Sequence, residues 1–228
     1  MVDSAGAQAD APATIRILIV DDHEMFGSSL AFTLNSESDM AVVGTACTGK
    51  AALEQAVSTT PDVILLDQQL PDATGTSLIP PLLETSADVQ VVMLTASTSD
   101  HVLISAIEAG AAGFIDKTRS LGEVAAAIRS AAAGESLVSP KQLARLLPRL
   151  RRQDADPTAS ITVREREVLS LLCDGLSNAD IAARMSVSVH TVRNHVANLS
   201  AKLNAHSKLE VMAIAVRKGL IHAEYPRT

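Results

Sequence analysis

Five polar side chains stand where a phosphoryl-transfer site would need them. Asp21 and Asp22 follow the apolar run Ile15–Val20, Asp67 follows residues 63–66, Thr95 follows residues 89–94, and Lys117 stands just beyond residues 113–115, after Asp116. Each run is short and rich in Ile, Val and Leu, as parallel strands buried on both faces are. In open α/β sheets, ligand sites form just outside the carboxyl ends of the strands. The runs therefore bring Asp21, Asp22, Asp67, Thr95 and Lys117 to one edge. Clustered carboxylates repel one another unless a cation neutralises them, and hard oxygen ligands suit Mg²⁺ together with a phosphate. Asp67, directly after its strand, is the expected nucleophile and phosphorylation site. Asp21 and Asp22 would hold the metal, Lys117 would pair with phosphoryl oxygens, and Thr95 would donate a hydrogen bond to one of them. Phosphoryl transfer needs little beyond alignment and charge neutralisation.

The elements that must position these groups alternate. Phe26, Leu30 and Leu34 recur at helical spacing after the first run, and a second strand is expected near Met40–Ala46. Leu53, Ala56 and Val57 mark the next helix. Ser99 suits the N-cap of a later one, with Leu103, Ala106 and Ile107 inward and Gly110 at its end. Leu121, Val124 and Ile128 share a face of the last. Five β-then-α units predict a five-stranded parallel, doubly wound sheet with helices on both sides.

From Thr162 onward the pattern is purely helical. Thr162-Val163-Arg164-Glu165 fits a capping box. Ser177 caps a short helix carrying Ile181, Ala182 and Met185; a tight turn at Ser186-Val187-Ser188 leads into a helix reaching Leu203, and a fourth covers about 208–219. A short helix, tight turn and long helix are the parts of a helix-turn-helix, whose second helix enters the major groove. At about 100° per residue, Val192, Val196, Leu199 and Leu203 share one face. His190, Asn194, Ala197 and Ala201 lie opposite, flanked by Arg193 and Asn198. Arg193 suits a guanine edge or a phosphate, and Asn194 an adenine edge. Thr191, Lys202 and Lys208 are expected phosphate contacts, while His195 reads as a packing residue or phosphate contact.

Charge separates the two parts. Residues 1–140 carry 5 basic and 18 acidic side chains, residues 141–159 carry 5 and 2, and residues 160–228 carry 9 and 6. An acidic front and a basic rear imply different partners, although the whole-chain pI of about 5.3 hides the difference. The expected organisation is a disordered tail over 1–13, an α/β domain over 14–134, a linker over 135–160 with a helix near 143–152, and a helical domain over 161–228. Cys47 and Cys173 read as buried thiols in a reducing, cytoplasmic setting. No secretory signal and no membrane-length apolar stretch is evident.

Residues 15–134 resemble a bacterial response-regulator receiver domain. The matching stretches are Ile19-Val20-Asp21-Asp22-His23, the segment from Leu66-Asp67-Gln68-Gln69 to Thr74-Gly75, Leu94-Thr95-Ala96, and Gly113-Phe114-Ile115-Asp116-Lys117. The resemblance implies a flavodoxin-like fold and phosphorylation of Asp67 by a partner histidine kinase. It implies that Thr95 moves toward the phosphoryl group and that the aromatic at Phe114 repositions with it. Phe114 has no hydroxyl, so a hydrogen bond of the Tyr type is missing. The Gln69 backbone carbonyl would complete the metal shell, and its side chain, with Ser97, would influence water attack on the phosphoaspartate. His23 reads as helix surface.

Residues 161–221 are similar to LuxR-type DNA-binding domains, through Thr162 to Leu169, Gly175-Leu176-Ser177-Asn178, Ile181-Ala182 and Ser188 to Val196. A receiver joined to such a domain is the plan of NarL/FixJ-type regulators. The family often has a basic residue where Ala197 stands, which implies weaker binding per monomer, offset by a homodimer on a two-half-site operator. Three other readings compete. An aspartate-nucleophile phosphohydrolase would carry Asp-x-Asp after its first strand, where this chain has adjacent aspartates. A phosphorylation-independent DNA binder would leave the pocket unused. A protein adaptor would not need Arg193-Asn194.

Overall fold

The computed structural model describes residues 14–86, 88–96, 99–138 and 161–220. The tail 1–13, Ser97 and the linker helix near 143–152 lie outside the described residues. Strands β1 (Ile15–Val20), β2 (Met40–Ala46), β3 (Val63–Asp67), β4 (Gln90–Thr95) and β5 (Gly113–Asp116) alternate with helices α1 (Glu24–Leu34), α2 (Gly49–Thr59), α3 (Gly75–Leu83), α4 (Asp100–Glu108) and α5 (Leu121–Ala132). The strands form one parallel sheet in the order β2-β1-β3-β4-β5. That is the flavodoxin-like order, whose switch point lies between β1 and β3.

Alternation along each strand builds two layers. Ile17, Ile19 and Leu65 pack with Leu30, Leu34 and Ile128 on the α1/α5 face. Leu18, Val20, Ile64 and Leu66 pack with Ala52, Leu78, Ile79 and Ala106 on the other. Strands β3 and β4 are buried along nearly their whole length and register is fixed by packing, while β1 exposes Arg16 and the edge strand β2 exposes Thr45. Val20 pairs with Leu66, Asp67 with Leu94, and Thr95 with Asp116, so the strands end nearly flush.

The rear domain comprises α6 (Val163–Cys173), α7 (Asn178–Met185), α8 (Val189–Leu203) and α9 (Lys208–Arg217). Thr162 and Ser177 each head a capping box, with Glu165 and Asp180 as reciprocal partners, and Ser188 caps α8. The α7–α8 turn passes through Ser186 at φ 56°. Its core (Val168, Leu169, Ile181, Val192, Leu199, Leu203, Leu209) is continuous with Leu103 and Ile107 of α4. The two domains thus share apolar packing through α4 and α9. Ser207 Oγ reinforces it by donating to the Ala111 carbonyl at 2.9 Å.

Candidate functional site

The flush strand ends place Asp21 beside Asp67 and Lys117 beyond β5. Lys117 Nζ lies 2.6 Å from Asp21 Oδ2 and 2.9 Å from Asp67 Oδ2. Asp21 and Asp67 are almost fully buried; Asp22 is partly exposed. Asp67 Oδ1 accepts from the Gln68 N–H at 2.7 Å, and Asp21 Oδ1 from the His23 N–H at 2.9 Å. Burial works against the charge on Lys117, but its contacts with Asp21 and Asp67 outweigh it and hold the ammonium's pKa above the usual lysine value. Lys117 also sits 5.1 Å from the centre of the Phe26 ring.

Ligand oxygens of Asp21, Asp22 and Asp67, with a His23 ring nitrogen, lie within 4.8 Å of one another. Three carboxylates against one ammonium leave an excess of two negative charges. Asp21 Oδ2 is buried and accepts no well-directed hydrogen bond, despite its short ionic contact with Lys117. Such an oxygen is what a hard cation would satisfy. Thr95 is buried at the end of β4, and the Lys117 N–H donates to its carbonyl at 2.9 Å. Gln69 is exposed in the loop after β3 and bridges to Thr74. His23 is the N-cap residue of α1, with its ring largely exposed and Nδ1 2.8 Å from Asp22 Oδ1.

Two loops are braced by the carboxylates of Asp72 and Asp116. Asp72 accepts from the N–H groups of Gly49 and Lys50 at 2.7 and 3.0 Å, tying the loop after Asp67 to the start of α2. Those backbone donors hold its carboxyl below the usual range. Asp116 accepts from the Thr118 hydroxyl and N–H and fixes the turn after Lys117. Gly75 is required: a Cβ there would lie 2.2 Å from the Asp67 carbonyl oxygen.

Phe114 is half-buried and packs against both the α3-side receiver layer and the apolar cluster that α4 shares with the helical domain.

On α8, Val192, Leu199 and Leu203 are buried and Val196 is half-buried, while His190, Arg193, Asn194, Ala197 and Asn198 are exposed. Thr191 and His195 lie between. Two expected phosphate contacts are engaged elsewhere. Lys202 donates to the buried Glu165 at 2.7 Å, so its ammonium serves the helical core. Lys208 is buried between the domains against Glu135 and Asn178. Neither carboxylate partner is visible in the sequence, because helical periodicity says which way a residue points on its own helix, not which acid meets it on another. Glu135 carries no signal of its own in the sequence. The α8 surface itself borders a crevice of about 650 Å³, lined by Arg193 and Ala197 together with Lys208, Asp88 and Gly134. Cys47 and Cys173 are half-buried rather than fully buried, and burial with Asp174 nearby pushes the Cys173 thiol up to about 12.

Among the described residues, no helix is long and apolar enough to cross a membrane.

Residues 17–129 match the family described as response regulator receiver domain, and residues 159–215 the bacterial regulatory proteins of the luxR family. The response regulator protein VraR of Staphylococcus aureus is 33% identical over 208 residues, covering 91% of this chain and 99% of VraR. The receiver domain of the putative response regulator NarL from Mycobacterium tuberculosis is 30% identical, with a TM-score of 0.52, covering 54% of this chain and all of that one. A LuxR-family two-component response regulator from Aurantimonas sp. SI85-9A1 is 26% identical, with a TM-score of 0.54, covering 60% of this chain and 98% of that one.

Proposed function

Because the chain belongs to the response regulators that join a receiver to a LuxR-type DNA-binding domain, and is thus a phosphorylation-controlled, DNA-binding transcription regulator, we propose that Asp67 is its phosphoacceptor. It is not a classical enzyme, and a histidine kinase and DNA are its implied partners. An Asp67 carboxylate oxygen attacks the phosphorus of the kinase's phosphohistidine. The new P–O bond replaces the P–N bond, and the imidazole leaves and takes a proton. Small donors such as acetyl phosphate would react in the same way, with the donor's carboxylate leaving, and hydrolysis would return Asp67.

Asp21, Asp22, Asp67 and the Gln69 carbonyl are the proposed Mg²⁺ holders; the buried, poorly satisfied Asp21 oxygen supports the fit. Mg²⁺ supplies charge neutralisation for the incoming phosphoryl oxygens. Lys117, already between Asp21 and Asp67, pairs with those oxygens as they arrive. Thr95 donates its hydroxyl to one of them. Gln69 influences the water that ends the signal, and an unchanged dephosphorylation rate in Gln69→Ala would remove it from that role.

Movement of Thr95 frees space that Phe114 takes up. Since Phe114 also packs against the apolar cluster that α4 shares with the helical domain, the shift weakens the α4–α9 contact and populates a released arrangement. The released domain dimerises and presents His190, Thr191, Arg193, Asn194, Ala197 and Asn198 to a two-half-site operator in the cytoplasm.

The observation that carries this reading is the Lys117 ammonium within 2.9 Å of both Asp21 and Asp67. The test is incubation with acetyl phosphate and Mg²⁺, followed by intact mass and solution size, with Asp67→Asn as control. An adduct absent from Asp67→Asn, together with a shift to dimer, is expected. No adduct together with a constitutive dimer would overturn phosphorylation control.

A further inference from the structure

Glu135 lies at the contact between the domains, held by two donors of the helical domain. It follows α5, whose end is fixed by Gly134 at φ 71°, the Gly134 N–H on Ala131 O and the Glu135 N–H on Ser130 O. That paired closure, with glycine in the left-handed region, is a Schellman turn, and it aims the next residue rigidly. Glu135 Oε1 accepts from the Asn178 N–H at 2.9 Å, the first N–H of α7. Oε2 accepts from the Lys208 ammonium, which is itself 6% exposed. The Asn178 side-chain oxygen lies 3.4 Å from the same ammonium.

A helix N-terminal N–H and a lysine converging on one anion are the donors that hold phosphate oxygens. Their position is also right. In a helix-turn-helix the first helix crosses the DNA backbone while the second enters the groove. Here α7 is that first helix, and Asn178 and Lys208 line the same crevice as Arg193 and Ala197 of α8.

Resting on the DNA-binding reading above, we propose that the Asn178 N–H and Lys208 form a binding site for a DNA backbone phosphate, and that the Glu135 carboxylate fills it in the docked arrangement as an internal stand-in. Glu135 and DNA then compete for the same two donors. Docking withholds a phosphate clamp, and the acidic front domain supplies the competing anion. The site is indifferent to base sequence, so a random duplex suffices as probe.

The experiment measures binding of a random 30-base-pair duplex across a range of salt concentrations. It uses the full-length wild type, unphosphorylated and with its adduct confirmed by mass, and the unphosphorylated variants Glu135→Gln, Glu135→Gln/Lys208→Gln and Glu135→Gln/Lys208→Arg. Glu135→Gln is expected to bind about tenfold tighter than the unphosphorylated wild type, the equivalent of one charge-assisted hydrogen bond. Adding Lys208→Gln should return most of that gain and lower the salt slope by about one, the signature of a lost phosphate contact, while Lys208→Arg keeps both. Equal affinities for wild type and Glu135→Gln would overturn the stand-in. Equal affinities and slopes for Glu135→Gln and Glu135→Gln/Lys208→Gln would overturn the phosphate site. A phosphorylated wild type that bound no duplex would instead overturn the DNA-binding reading, and this proposal with it.

Discussion

The Lys202 ammonium donates to the Glu165 carboxylate at 2.7 Å, joining the third helix of the rear domain to the first. Burial opposes the Glu165 charge, but Lys202 and the N–H and hydroxyl of Thr162 overcome it and hold the carboxyl at about 2, against an ordinary value of 4.5. Its folded pKa is depressed, so its contribution is complete above pH 4.5 and disappears as pH falls through about 2. Removing one partner strands a buried charge. Lys202→Met should cost about 3 kcal/mol by urea denaturation at neutral pH, and much less near pH 2. A loss independent of pH would show that the pair does not account for it.

Gly75→Ala tests the close approach of α3 to the phosphoacceptor strand. The added methyl would lie 2.2 Å from the Asp67 carbonyl oxygen and 2.9 Å from Met93 Cε. The methionine can move; the backbone cannot without displacing Asp67. A cost of about 1–3 kcal/mol is expected, with slower adduct formation from acetyl phosphate. Wild-type stability and rate together would mean that the loop absorbs the methyl.

Lys117→Met removes the only ammonium found within ion-pairing reach of Asp21 and Asp67 among the described residues. The remaining carboxylates should then bind a divalent cation more tightly, because they lose their internal counter-ion. Phosphoryl gain should slow by about a hundredfold, the usual effect of deleting one donor to developing charge. Calorimetric Mg²⁺ titration and timed intact mass read the two effects separately. Weaker Mg²⁺ binding would contradict the charge argument.

Much of this was legible in the chain because it is local. Strand runs, Ser99, Thr162, Ser177 and Ser188 as caps, and the exposed face of α8 follow from periodicity and side-chain chemistry within a few residues. Helix α3 was harder, since Pro80 and Pro81 stand inside it where proline usually breaks a helix. The carboxylate partners of Lys202 and Lys208 are illegible for a different reason. Glu165 and Glu135 are 37 and 73 residues away, and no short-range pattern reports such meetings. The pairing of α4 with α9 is likewise a product of tertiary packing.

Glu210 offers a pH test of that pairing. It is buried at the start of α9, where its Oε2 accepts from the His206 N–H at 2.7 Å and faces Gly110 of the receiver. Burial raises its carboxyl to about 7, against the pull of the His206 N–H and of Arg217. Freed from the receiver, it should return toward 4.5. The docked arrangement therefore takes up a proton between these values. Docking is most favourable below pH 4.5, weakens as pH rises toward 7, and changes no further above it. Small-angle scattering of the unphosphorylated chain should show the radius of gyration growing over that interval. Glu210→Gln keeps the acceptor for His206 but cannot ionise, so its radius should stay near the low-pH value, apart from any change the histidines cause in both proteins. Superimposable curves for wild type and Glu210→Gln would mean that Glu210 does not titrate with docking.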